Sequence, residues 1–213
     1  MSRGSRRVVG VVLVALAVAV AMLAPATSQA RKRHRTCYPK HTKTLVASAQ
    51  ARVFQTRKKV EEAHVTYGCL LSRKHPYKFS LPDFPTGFDP IVLAGRYVAY
   101  GDYSDCAASF CDPNSIVVQN LRNGHVRFVD GPGLRIATVY GLVLKRNGSV
   151  AWIASTFDQF GSLLPGVQVV KVEHGGSPVV LASGRGIATD SLALGGSTLY
   201  WTDGGVPHSA PLP

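Results

Sequence analysis

Apolar and polar residues alternate along most of this chain in short runs, and turn residues divide the runs. PIVLAG is followed by RYVAYGDY, SIVVQNL by RNG and HVRFVDG, and VYGLVLK by RNG and SVAWIAS. GVQVVKVE, SPVVLAS, DSLALGG and STLYWTD continue the pattern. A period of two over four to eight residues, bounded by Gly, Asn and Pro, predicts β-strands. Asn123-Gly124, Asn147-Gly148 and Gly175-Gly176 stand at junctions between strands. Such pairs predict type I′ hairpin turns, which need positive φ at both central residues. The one short helical candidate is TRKKVEEAH, Thr56 to His64. The fold class is therefore all-β, with consecutive antiparallel strands.

One phrase recurs. Leu93-Ala-Gly-Arg-Tyr-Val-Ala-Tyr100 aligns with Lys145-Arg-Asn-Gly-Ser-Val-Ala-Trp152 and with Leu194-Gly-Gly-Ser-Thr-Leu-Tyr-Trp201. Val46 to Phe54 is a fainter copy. The aromatic anchors Phe54, Tyr100, Trp152 and Trp201 are spaced by 46, 52 and 49 residues. In an all-β chain, a period of that length predicts propeller blades, each a four-stranded sheet. Written out, three units have four strands and the fourth has three. An incomplete last unit leaves a strand edge that a protein partner or a second copy could complete. A sandwich of hairpins is the alternative architecture. The anchors are expected in the cores between blades.

The N-terminus changes the picture of location. Arg3, Arg6 and Arg7 precede an uncharged apolar run, Val8 to Leu23, and then APATSQA. That order predicts a secretory signal peptide over residues 1–30, cleaved after Ala30. A retained membrane anchor is the alternative, but the run has 16 residues and a spanning helix wants about 20. Residues 31–41 form a basic leader, and the β-domain is expected over residues 42–213.

Net charge is +12, and it is uneven. Residues 31–75 carry 12 Lys and Arg against 2 Glu, whereas residues 76–213 carry 9 against 10 acidic residues. Arg31, Lys32, Arg33 and Arg35 head the basic stretch. It reads either as a solvated leader or as a contact for an anionic envelope polymer or membrane surface. Nucleic acid is not expected as a partner, because no recognition motif accompanies the charge.

The four cysteines, Cys37, Cys69, Cys106 and Cys111, make an even count, which in an exported chain predicts two disulfides. Three connectivities are possible. A local Cys106–Cys111 staple is the easiest, and it would leave Cys37 with Cys69. A zinc site is the competing use, but the spacing is not CxxC.

Chemistry is sparse. Asp102, Asp105 and Asp112 cluster in the segment that holds Cys106 and Cys111. They read as a strand-to-strand loop, a possible binding loop, or the acid and base of a hydrolase or lyase. The spacing lacks the order of a calcium-binding EF loop. The seven histidines are scattered, with no paired metal spacing and no nucleophile elbow. No cofactor, resident metal or catalytic residue is predicted. Asn147-Gly148-Ser149 fits a glycosylation acceptor, but it is also the expected hairpin turn.

The L-x-G-x-x-V-A-Y and N-G-S-V-A-W phrases, with Leu121-Arg-Asn-Gly124, resemble divergent secreted β-propeller repeat proteins of the TolB-like kind. The resemblance covers most of residues 42–210. It implies a propeller, usually a binding platform and in some members an enzyme. The leading expectation is an exported, non-enzymatic binding or scaffolding domain of the cell envelope. A secreted hydrolase or lyase is the alternative.

Overall fold

Fifteen strands carry the described part of the chain, all of it β and turn. The structure is a computed structural model, and it describes residues 37–56, 65–73, 75–79, 90–101, 115–131 and 135–213. These belong to one unit, His34–Pro213. The signal segment, most of the Thr56–His64 helical candidate and the 102–114 segment lie outside the described residues. Thr56 itself closes a strand.

The first sheet holds β1 (Thr42–Ala47), β2 (Ala51–Thr56), β3 (Thr66–Leu70) and β4 (His75–Phe79). The second holds β5 (Val92–Ala94), β6 (Tyr97–Gly101), β7 (Ser115–Asn120) and β8 (Val126–Asp130). The third holds β9 (Arg135–Leu144), β10 (Val150–Phe157), β11 (Val167–Val172) and β12 (Pro178–Gly184). The fourth holds β13 (Ala193–Gly195), β14 (Thr198–Asp203) and β15 (Val206–Pro211). In each sheet every strand pairs antiparallel with its neighbours in sequence. Each of the four units written from the sequence is thus a separate meander.

The turns correct one expectation. Asn123 and Asn147 do not have positive φ; among these pairs only Gly124, Gly148 and Gly175 do. These loops place a single left-handed glycine after ordinary turn residues, so the type I′ assignment fails there. The type I′ pattern occurs instead at Gly204-Gly205, where both φ values are positive. Gly95-Arg96 and Gly196-Ser197 have positive φ at the first residue only, as in a type II′ turn.

The recurring aromatics explain how the sheets stack. Phe54, Tyr100, Trp152 and Trp201 are 1%, 4%, 1% and 6% exposed. Each sits on the second strand of its sheet, and Tyr100, Trp152 and Trp201 pack against the sheet before their own. Tyr100 joins Ala51, Val53 and Phe79 of the first sheet, and its ring stacks on Phe79 at 5.1 Å. Trp152 joins Tyr97, Ile116 and Val118 of the second sheet. Trp201 joins Ile153 and Val169 of the third. Successive residues of a strand face opposite sides, so Ala151 and Ile153 pack toward the fourth sheet while Trp152 packs toward the second.

Phe54 points away from the other sheets, and a covalent cover meets it. Cys37 and Cys69 form a disulfide, and both are buried with Phe54. Of the three connectivities the sequence allowed, this fixes the long-range bridge and removes both cysteines from any zinc site. Arg52, 5% exposed, anchors the cover. Its guanidinium donates to the Cys37 carbonyl at 2.6 Å and to the Thr44 hydroxyl at 2.8 Å. It also lies 4.8 Å from the ring centroids of Tyr38 and Phe54.

The fourth sheet ends the stack differently. Leu199 and Trp201 of β14 face inward, and Tyr200 between them is 47% exposed beside the half-buried Thr198 and Thr202. One face is packed and the other is wet, as an antiparallel sheet allows. The β15 edge also carries prolines. The Leu212 amide donates to the Ser197 carbonyl at 2.8 Å. Backbone groups alternate along the ladder, so Ala210, His208 and Val206 also face β14. Pro207, Ser209 and Pro211 face outward, and two of these three have no N–H to offer.

Candidate functional site

In a meander the first and third connections lie at one end of the sheet and the second lies at the other. We call the former the hairpin end. The first turns of all four sheets meet there around one open cavity of about 510 Å³. Ser48, Ala49 and Gln50 come from the first sheet, and Leu93, Ala94 and Gly95 from the second. Leu144, Lys145 and Arg146 come from the third, and Leu194 and Gly196 from the fourth. The opening residues of the recurring phrase therefore form part of the wall of this cavity.

A second cavity of about 510 Å³ adjoins it and shares Ala49 and Gln50. Leu70, Leu71, Ser72 and Arg73 of the β3–β4 turn line it, together with Arg96 and Arg122 of the second sheet. Backbone bonds hold these turns side by side. The Leu71 amide donates to the Gln50 carbonyl at 2.9 Å, and the Leu121 amide to the Arg96 carbonyl at 2.8 Å. No carboxylate lines either cavity among the described residues.

The cations differ in what they already hold. Lys145 Nζ donates to the Leu212 carbonyl at 2.7 Å and to the Ser197 hydroxyl at 3.0 Å, so it fastens the chain that follows β15. Asn147 and Ser149 donate to Pro213 O at 3.0 and 3.1 Å, and Lys171 Nζ donates to Pro211 O at 2.9 Å. Asn147 Oδ1 also accepts from the Ser149 amide, so this side chain builds the turn. Arg127 joins the second sheet to the third by donating to the carbonyls of Gly148 at 2.8 Å and Glu173 at 3.2 Å. Burial pushes its guanidinium below the usual arginine value, and Tyr97 partly opposes that shift. Arg96 lies on the Tyr97 ring, 5.2 Å from its centroid, and donates to its hydroxyl at 3.3 Å. Arg73, Arg122 and Arg146 have no side-chain hydrogen bond or ion pair among the described residues. All three are exposed.

Glu173 is the described carboxylate nearest this end in the topology, and it pairs with Lys171 at 3.0 Å. Among the described residues, Arg73, Arg122 and Arg146 at the hairpin end therefore carry charge that no carboxylate pairs with. The arginines of this end were legible as a spacing: 73, 96, 122 and 146 are 23, 26 and 24 residues apart. That is half the repeat, and it places one arginine on each of four successive turns at the same end.

Asp102, Asp105, Asp112, Cys106 and Cys111 lie outside the described residues, as do Arg31, Lys32, Arg33 and Arg35. The flanks of the 102–114 segment, Gly101 and Ser115, are at the end of the second sheet opposite Gly95. Among the described residues no group of three His, Cys, Asp or Glu could hold a metal, and no helix is long and apolar enough to cross a membrane. No protein-family model matches this chain, and no curated protein matches it.

Proposed function

We propose that this chain is an exported, propeller-like binding module of the cell envelope, with its ligand held at the hairpin end. The four sheets act as blades, and the second, third and fourth each rest an aromatic anchor on the blade before. One observation carries the reading: the first turns of all four sheets line a single cavity. Loops set on a rigid scaffold are where recognition concentrates, and a cavity where repeats converge is a natural ligand site. Location rests on the signal-like N-terminus and on the Cys37–Cys69 bridge, which suits an oxidising compartment.

The module is self-contained in this reading. The proline-bearing edge of β15 and the wet face around Tyr200 end the stack without calling for a strand from a partner. The positive hairpin end selects an anionic envelope component.

The test uses the full chain, exported and purified from an oxidising compartment. Binding of a purified anionic cell-wall polymer is compared among wild type, the cavity variant Gln50→Ala/Arg146→Gln, and a leader variant with Arg31, Lys32, Arg33 and Arg35 changed to Gln. The cavity variant should lose affinity and the leader variant should keep most of it. The opposite order would move the site to the leader.

A further inference from the structure

The cavity between the first and second sheets is more specific than a general positive patch. Its cationic residues are three arginines, Arg73, Arg96 and Arg122, brought in from three turns. Among the described residues its lining holds no lysine, and the rest of the wall is Ala49, Gln50, Leu70, Leu71 and Ser72. A guanidinium is a planar fork that fits two oxygens of one tetrahedral anion, and it stays charged. Gathering such groups without a carboxylate among them costs self-repulsion in the free protein. A bound polyanion removes that cost.

The shape adds a second constraint. The arginine cavity adjoins the cavity of the four converging turns, and Ala49 and Gln50 line both. Arg146 lines that adjoining cavity, with no side-chain partner among the described residues. Lys145 beside it is occupied by Leu212 and Ser197. A single small anion in the arginine cavity would leave Arg146, which lines only the adjoining one, unused. An extended anion with charges in series would use both.

We propose that the arginine cavity binds the phosphoryl groups of an extended polyanion, gripped by Arg73, Arg96 and Arg122, with the chain of the ligand running past Gln50 toward Arg146. This rests on the reading of the hairpin end as the ligand-bearing end. Arginine at all three places is what selects phosphoryl oxygens. The two adjoining cavities, each with arginine in its wall, are what select a polymer.

The probe is long-chain inorganic polyphosphate, titrated into the exported full chain by calorimetry at low and at physiological salt. Wild type should saturate, and its affinity should fall as salt rises. R73Q/R96Q/R122Q should weaken binding at least about tenfold. The lysine version of the same triple variant should recover part of that loss, because charge returns without the fork. R146Q should weaken polyphosphate binding but leave inorganic phosphate unaffected. R185Q, outside both cavities, should match wild type. Unfolding midpoints of all variants show that each is folded.

Wild-type affinity in the triple variant would overturn the proposal. If Q50A/R146Q then still lost binding, the hairpin-end reading would survive without it; if neither variant mattered, both would fall. Inorganic phosphate binding as tightly as the polymer would overturn the extended ligand. Binding to phosphatidylglycerol vesicles in place of polyphosphate would overturn it in favour of a membrane surface. Equal binding of poly-glutamate would overturn the phosphoryl selectivity.

Discussion

Lys145 Nζ lies 2.7 Å from the carbonyl oxygen of Leu212, so a side chain on the wall of the central cavity spends its charge on the chain after β15. The bond explains why two neighbouring cations differ. Lys145 fastens the fourth sheet to the third, whereas Arg146 has no side-chain partner among the described residues. Lys145→Met should cost about 1.5–3 kcal/mol of stability, the range for a hydrogen bond to a charged group, with little change in polyanion affinity. Arg146→Gln should do the reverse. Urea unfolding and calorimetric titration on the same two variants separate the roles.

The disulfide covers the face of the first sheet that no preceding sheet packs against. Cys37 and Cys69 are 32 residues apart in sequence, and closing a loop of that size is worth about 3–4 kcal/mol in the chain-entropy account. Cys37→Ser/Cys69→Ser should lower stability by that order. Arg52→Met should add to the damage, because Arg52 holds the Cys37 carbonyl from a nearly buried position. Denaturant midpoints with and without reductant measure both.

Gly148 and Gly196 share a left-handed backbone but differ in surroundings. Gly148 has φ +91°, and a Cβ there would stand 3.2 Å from both the Tyr97 ring and His174 Nδ1. A Cβ at Gly196, φ +61°, meets nothing within 4 Å. Gly196→Ala should cost only the backbone term, about 1–2 kcal/mol. Gly148→Ala should cost more, since the Tyr97–His174 contact must also open. Thermal unfolding of the two variants ranks them.

Much of this architecture was written in the alternation and the repeat. SVAWIAS and STLYWTD name strands that form as β10 and β14, and the division into units of four, four, four and three strands is that of the sheets. Turn type was not legible, because Asn-Gly permits a left-handed asparagine without requiring one, and these loops place only the glycine there. The disulfide partner was open among three choices, since pairing depends on which strands become neighbours. The arginine spacing was visible but carried no meaning until alternate turns were known to share an end. The charge excess before residue 76 drew attention to Arg31, Lys32, Arg33 and Arg35. Arg96, Arg122 and Arg146 were diluted in a segment whose charges nearly cancel, because composition averages over both ends of a sheet.

The outward positions of β15 give a prediction about assembly. Pro207 and Pro211 remove two of three outward donors, so the protein should be monomeric. Pro207→Thr/Pro211→Thr restores those donors and should promote concentration-dependent self-association. Sedimentation velocity over a concentration series checks both statements.

The central claim is that the ligand meets the hairpin end. Hydrogen exchange of the exported full chain, with and without long-chain polyphosphate, tests it most directly. The account predicts protection at residues 48–50, 71–73, 95–96, 121–122 and 145–146, with residues 157–165 at the other end of the third sheet unchanged. Protection confined to residues 31–35, to residues 102–112 or to the opposite end would contradict it.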